Sequence, residues 1–129
     1  MADRQIIRDL IKKYAIVLKY GDGSILEPKI DWKTWGNYPA RLEMGYIFEF
    51  EGEFVDKITT LEARVLAMHE IAHFNALNAK GSEVGYAEHG HPVNELQMYD
   101  MIKKEHIPFE EVNASIESIH RKWAQYYRR

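Results

Sequence analysis

Residues 59–78 read TTLEARVLAMHEIAHFNALN. Thr59-Thr60-Leu61-Glu62 is a capping box, with Thr59 as N-cap and Glu62 reaching back from three residues on. Neither glycine nor proline occurs between Thr60 and Asn78, so a helix is expected over about 60–78, closed by Gly81 just past its end. Its apolar stripe passes through Leu61, Val65, Met68, Ala72 and Leu77. Beside that stripe, His69-Glu70-Ile71-Ala72-His73 spells H-E-x-x-H in mid-helix. Helical residues four apart share a face, so both imidazoles can ligate one Zn²⁺ at roughly 2.0–2.1 Å. Glu70 then projects beside the metal, where it can take a proton from water and return it to a leaving amine. The alternative is a pair of histidines that bind nothing. Their ring nitrogens would then need other partners so close to a buried stripe.

Upstream, Ile7, Leu10, Ile11, Tyr14, Val17 and Leu18 are spaced as one buried face of a helix over residues 3–20, with Asp3 as N-cap and a stop at Gly21-Asp22-Gly23-Ser24. A β section comes next. Ile25–Trp32 is a short strand whose Pro28 suits a sheet edge. From Arg41 to Glu51 strict alternation predicts one long strand. Leu42, Met44, Tyr46, Phe48 and Phe50 share its apolar face, and Glu43, Glu49 and Glu51 share the solvated one. Glu51-Gly52-Glu53 then reads as a tight hairpin into a strand around Phe54–Lys57. Downstream of the central helix comes a glycine-punctuated loop over 79–91, and Pro92 opens a helix to about Lys104. Pro108 opens another, with Val112, Ile116, Ile119 and Trp123 on one face. The expected fold class is therefore α+β: an N-terminal helix, a small mostly antiparallel sheet, the H-E-x-x-H helix and two C-terminal helices, all in one domain over 1–129.

Composition narrows the chemistry. The chain has 129 residues, 46% of them hydrophobic and 29% charged, which is enough for one core. A net charge of −3 gives no global field toward nucleic acid or anionic lipid. No run reaches the roughly 20 apolar residues that span a bilayer, so no membrane partner is expected. Cysteine is absent, which excludes thiolate catalysis and Cys-based zinc ribbons. With no signal-peptide pattern at the start, the expected location is cytoplasmic.

A catalytic zinc needs a third protein ligand and an open position. Downstream candidates are His89, His91, Glu83, Glu88 and Glu95. Tyr86 is placed to stabilise an oxyanion, or else it packs over its loop. Trp32, Trp35 and Tyr38 cover the sheet edge or line the cleft. Residues 120–129 hold four Arg/Lys and no acid among three aromatics, a pattern that suits single-stranded nucleic acid. A helix with Trp123 packed in the core accounts for it better. The strand Leu42–Phe50 is a candidate edge for binding extended substrate by β-addition.

The segment LEARVLAMHEIAHFNALNAKGSEVGYAEHGHPVNELQMYDMI resembles the SprT-like (Spartan-type) zinc metalloprotease domain. In that family H-E-x-x-H is succeeded, after a loop of a dozen or more residues, by H-G-x-x-F/W entering the next helix. His89-Gly90-His91-Pro92-Val93 fits that step, with Val93 in the aromatic position. The order and spacing agree over residues 41–102 and more loosely elsewhere. The resemblance implies a zincin-like fold, a Zn²⁺ cofactor held by His69, His73 and His89, and Glu70 as the catalytic base. It also implies hydrolysis of peptide bonds in protein substrates, including proteins associated with DNA. Two other readings stay open. Asn94-Glu95, with Asp100 beyond, loosely matches the gluzincin pattern, in which Glu95 is the third ligand. In a non-catalytic binding module the histidines hold a structural metal or none.

Overall fold

The computed structural model describes residues 2–19, 22–23, 25–34, 37–44, 46–80 and 92–127, with the backbone alone at 18–19, 25–26, 77–80 and 92–95. The fold is α+β. Among the described residues there are five helices and a small mixed three-stranded sheet, with a further two-stranded ribbon. No helix among them is long and apolar enough to cross a membrane.

Helix α1 spans Arg4–Tyr14, and the Asp3 side chain caps it by accepting from the Gln5 amide at 2.9 Å. Its stripe of Ile7, Leu10 and Ile11 is buried, as the spacing predicts. The helix ends six residues earlier than expected, and Leu18–Lys19 (β1) instead pairs antiparallel with Ile25–Leu26 (β2). Strand β3 is Lys29–Lys33, β4 is Ala40–Glu43 and β5 is Ile47–Glu51, in the spatial order β3-β5-β4. β4 and β5 are antiparallel, but β3 runs parallel to β5, so this sheet is mixed rather than mostly antiparallel.

The long strand expected over 41–51 is in fact a hairpin that reverses between Glu43 and Ile47. The alternation survives because the register pairs Leu42 with Phe48 and Ala40 with Phe50. Even-numbered residues face even-numbered ones across the turn, so one face stays apolar through it. Period-two patterning cannot distinguish that arrangement from a continuous strand. Met44 sits in the turn at φ +53° and is exposed.

The acids on the other face are also not where alternation puts them. β5 is the central strand, and Glu49 and Glu51 are buried. Glu49 is held by Arg41 Nε at 2.5 Å across the strand pair and by Lys33 Nζ at 3.5 Å. Glu51 accepts from the Tyr126 hydroxyl at 2.9 Å. Beyond it, Gly52–Val55 forms a short helix, α2, in place of the expected hairpin and strand. A Cβ on Gly52 would come within 2.6 Å of the Arg4 guanidinium, which is paired with Asp56 at 2.8 and 2.9 Å.

Helix α3, Thr60–Lys80, is the axle of the molecule. Its capping box forms as expected: the Glu62 amide donates to Thr59 Oγ1 at 3.1 Å, and the Thr59 amide donates to Glu62 Oε1 at 2.8 Å. From Glu62 to Ala76 nearly every side chain is buried, because α1, the sheet, α4 (Pro92–Lys104) and α5 (Phe109–Tyr127) all pack around it. Phe74 meets Phe48 of β5 with ring centroids 5.3 Å apart. On α5, Val112 and Ile119 are buried and Ile116 and Trp123 pack against the same core.

Candidate metal centre

The capping box fixes where α3 starts, and the start fixes which side chains project on each face. His69 and His73 fall one turn apart on the middle of the helix. Their rings face each other, with Nε2 atoms 3.2 Å apart, ring centroids 4.8 Å apart and planes at 80°. Two nitrogens bound tetrahedrally to one zinc at roughly 2.05 Å lie about 3.3 Å apart. The donor types and their separation therefore fit a zinc ion. The same contact is also a sound hydrogen bond between one protonated and one bare ring nitrogen, its direction set by the tautomers. His73 is buried, whereas the His69 side chain is 40% exposed, so the nitrogen pair lies where the core opens.

Glu70 is buried, 6% exposed, and its Oε2 lies 3.9 Å from His69 Nε2. Burial pushes its carboxyl up to about 7, because the low-dielectric surroundings penalise the charged form. A carboxyl so placed exchanges its proton near neutrality, which suits a general acid–base.

Glu70 and His69 line a cleft of about 480 Å³. Pro39 and Ala40, at the entry to β4, line it together with Val65 and Leu66 of α3 and Ile116, Ile119 and His120 of α5. In the sequence His120 groups with the basic C-terminal stretch, and its place here is missed. The signal is present nonetheless, since His120 adjoins the buried stripe residue Ile119 and lies four residues after Ile116.

Among the described residues, no third His, Asp or Glu joins His69 and His73 to form a metal-holding group. Of the expected third ligands, His89 and His91 lie outside the described residues, as do Glu83, Glu88, Tyr86 and Trp35. Glu95 belongs to α4, where its backbone alone is described. That helix packs on α3.

The remaining expectations divide. Trp123 packs edge-on to Phe54 with centroids 5.1 Å apart, and Tyr126 lies 5.6 Å from the same ring. Those two aromatics serve the fold, which favours the packed-helix reading of the C-terminus. Trp32 covers the sheet by packing on Phe50, with centroids 5.6 Å apart, and Tyr38 is exposed. β5 is central, so the strand Leu42–Phe50 is not a single edge. Only its first part, β4, lies at the sheet margin, and β4 is in contact with α3.

Set against known protein families, curated proteins and solved structures, the chain finds no match.

Proposed function

We propose that this chain is a small zinc-dependent metallopeptidase with a zincin-like, SprT-like arrangement, hydrolysing peptide bonds of protein substrates. The observation that carries the reading is the convergence of two imidazole nitrogens, 3.2 Å apart, beside a buried carboxylate that opens onto a cleft. His69 and His73 would hold the metal, with His89 as the third ligand on the family resemblance and Glu95 or His91 as the alternatives. A bound zinc supplies a Lewis acid and brings the pKa of water down to about 7.

The rest is the work of the chain. Glu70 takes the proton of the attacking water at its carboxylate and delivers it to the departing amine nitrogen. Its burial favours proton uptake, because desolvation penalises the charged carboxylate. α3 keeps Glu70 and the imidazoles in fixed relation, since its flanks are packed over four turns. The cleft between β4, α3 and α5 gives an extended peptide access to Glu70.

Metal stoichiometry and protein hydrolysis test the reading together. The purified chain is expected to hold one zinc. His69→Ala and His73→Ala should lose it, and so should one of His89→Ala, His91→Ala and Glu95→Ala. Glu70→Gln should keep the metal while hydrolysis of an unfolded protein substrate falls by about 10²–10⁴-fold. Unchanged hydrolysis in Glu70→Gln sinks the peptidase. The rival reading of a binding module without metal draws on the His69–His73 contact as a plain hydrogen bond. It requires a chain that binds no zinc at all.

A further inference from the structure

Helix α4 carries apolar side chains in two directions. Met101 and Ile102 are buried in the core and Met98 packs against it, whereas Leu96 and Tyr99 are exposed. Phe109, at the start of α5, is exposed as well. A helix packed on one neighbour needs one apolar stripe, so a second one calls for a second neighbour. The rings of Tyr99 and Phe109 stack, with centroids 5.1 Å apart and planes at 26°, and Leu96 precedes Tyr99 by one turn of α4. Stacking fixes both rings before anything docks on them, which lowers the ordering cost of a contact made through them. Single exposed apolar residues are ordinary, but a group of them rimmed by charge marks an interaction face. The rim here carries both signs. Lys103 and Lys104 close α4, and Lys103 Nζ lies 5.3 Å from the centre of the Tyr99 ring. Glu110 and Glu111 follow Phe109 in the first turn of α5, and Asp100 follows Tyr99. All five charged side chains are exposed.

We propose that Leu96, Tyr99 and Phe109, within this charged rim, form the face on which a second copy of the chain docks as a twofold dimer. The occupant follows from the charges. Cations follow one aromatic along α4, and acids follow the other along α5. Such a face is complementary to itself after a twofold rotation. The α4 of one copy then lies against the start of α5 in the other, and the two ring pairs meet at the axis. Lys103 and Lys104 of each copy reach Glu110 and Glu111 of its mate. A partner of a single charge sign would meet repulsion along part of the rim. Three apolar residues per copy make a small contact core, so the dimer is a weak and reversible one. None of these residues lines the cleft beside Glu70, so the dimer stands whether or not the chain is a peptidase.

Sedimentation velocity of the full chain tests this. Between about 1 µM and 1 mM, monomer should pass reversibly into dimer. Phe109→Ser and Leu96→Ser should each raise the dissociation constant at least about tenfold. Reversing the cations (Lys103→Glu with Lys104→Glu) should abolish the dimer, and so should reversing the acids (Glu110→Lys with Glu111→Lys). An equimolar mixture of the two reversed chains should dimerise again, because each then meets its opposite charge on the other. Rescue by mixing separates lost docking from lost folding, since one misfolded chain does not restore another. Where circular dichroism shows that a reversed chain fails to fold, Phe109→Ser decides. A parent chain that stays monomeric over the whole range overturns the proposal, as does growth beyond the dimer. A dimer left equally tight by Phe109→Ser and Leu96→Ser overturns it too, because the contact then lies on another surface. So does a mixture of two folded reversed chains that stays monomeric.

Discussion

Single carboxylates in this chain show how much their neighbours decide. Glu62, Glu70 and Glu105 all start from an ordinary value of 4.5, and Glu70 ends far from the other two. Desolvation pushes each of them up. At Glu70 it prevails, and the carboxyl reaches about 7. At Glu62, Lys122 at 2.6 Å, Ser118 and the Thr59 cap outweigh it and hold the group at about 2. Glu105 is held at about 2 by Lys13, Tyr14 and Arg64. Between pH 4.5 and 2 the folded chain therefore carries fewer protons on Glu62 and Glu105 than the unfolded chain does. Their stabilisation is complete above pH 4.5 and is lost as pH falls toward 2, on the order of 2 kcal/mol for each group. Urea unfolding at pH 7 and pH 3 should show this fall, and Glu62→Gln should flatten it. An unchanged slope in that variant would separate Glu62 from the acid transition. At this scale the sequence is unevenly legible. The spacing of Glu62 to Thr59 identifies it as a capping residue. Alternation puts Glu49 and Glu51 in solvent, because their cationic and phenolic partners are distant in sequence or on another element.

At the scale of elements, local signals locate helices better than strands. The capping box, Pro92 and Pro108 each mark a helix start, and each does so through a hydrogen-bonding or steric rule that acts within a few residues. The hairpin of β4 and β5 looks like one strand in the sequence because its register preserves parity through the turn. Met44 makes that turn with a left-handed backbone at φ +53° while its side chain is 71% exposed. Met44→Asn should raise the unfolding free energy by about 0.5–1 kcal/mol, since asparagine tolerates this conformation and no packing is lost. Equilibrium denaturation measures it, and a destabilised variant would mean that the methionine side chain makes contacts that outweigh its backbone strain.

The whole molecule is organised around α3, and two polar clamps join the N-terminal helix to it. Asn75 accepts from the Ile16 amide at 2.9 Å and donates to the Tyr14 carbonyl at 3.0 Å, fastening the end of α1 to α3. Glu105, at the end of α4, receives Lys13 at 2.7 Å, the Tyr14 hydroxyl and Arg64 at 3.0 Å, joining α1, α3 and α4. Asn75 is 3% exposed, so Asn75→Ala withdraws both bonds inside the core and should cost about 2 kcal/mol. Native-state hydrogen exchange should show that loss first in the amides of α1. Uniform loss across α1 to α5 would mean that α1 does not open separately.

By itself, the sequence determined the class of fold, the start of the central helix and the placement of two histidines and a glutamate within one turn. These depend on 3.6-residue periodicity and on caps that act over three or four residues. Only tertiary structure decided that β3 joins β5 in parallel, that the acids of β5 are buried with partners, and that Glu70 opens onto an aliphatic cleft. Each of these depends on segments far apart along the chain coming into contact. Pro39 and Ala40, four residues of α3 between Val65 and Glu70, and Ile116, Ile119 and His120 line one cleft, and short-range periodicity carries no information about such distant pairings.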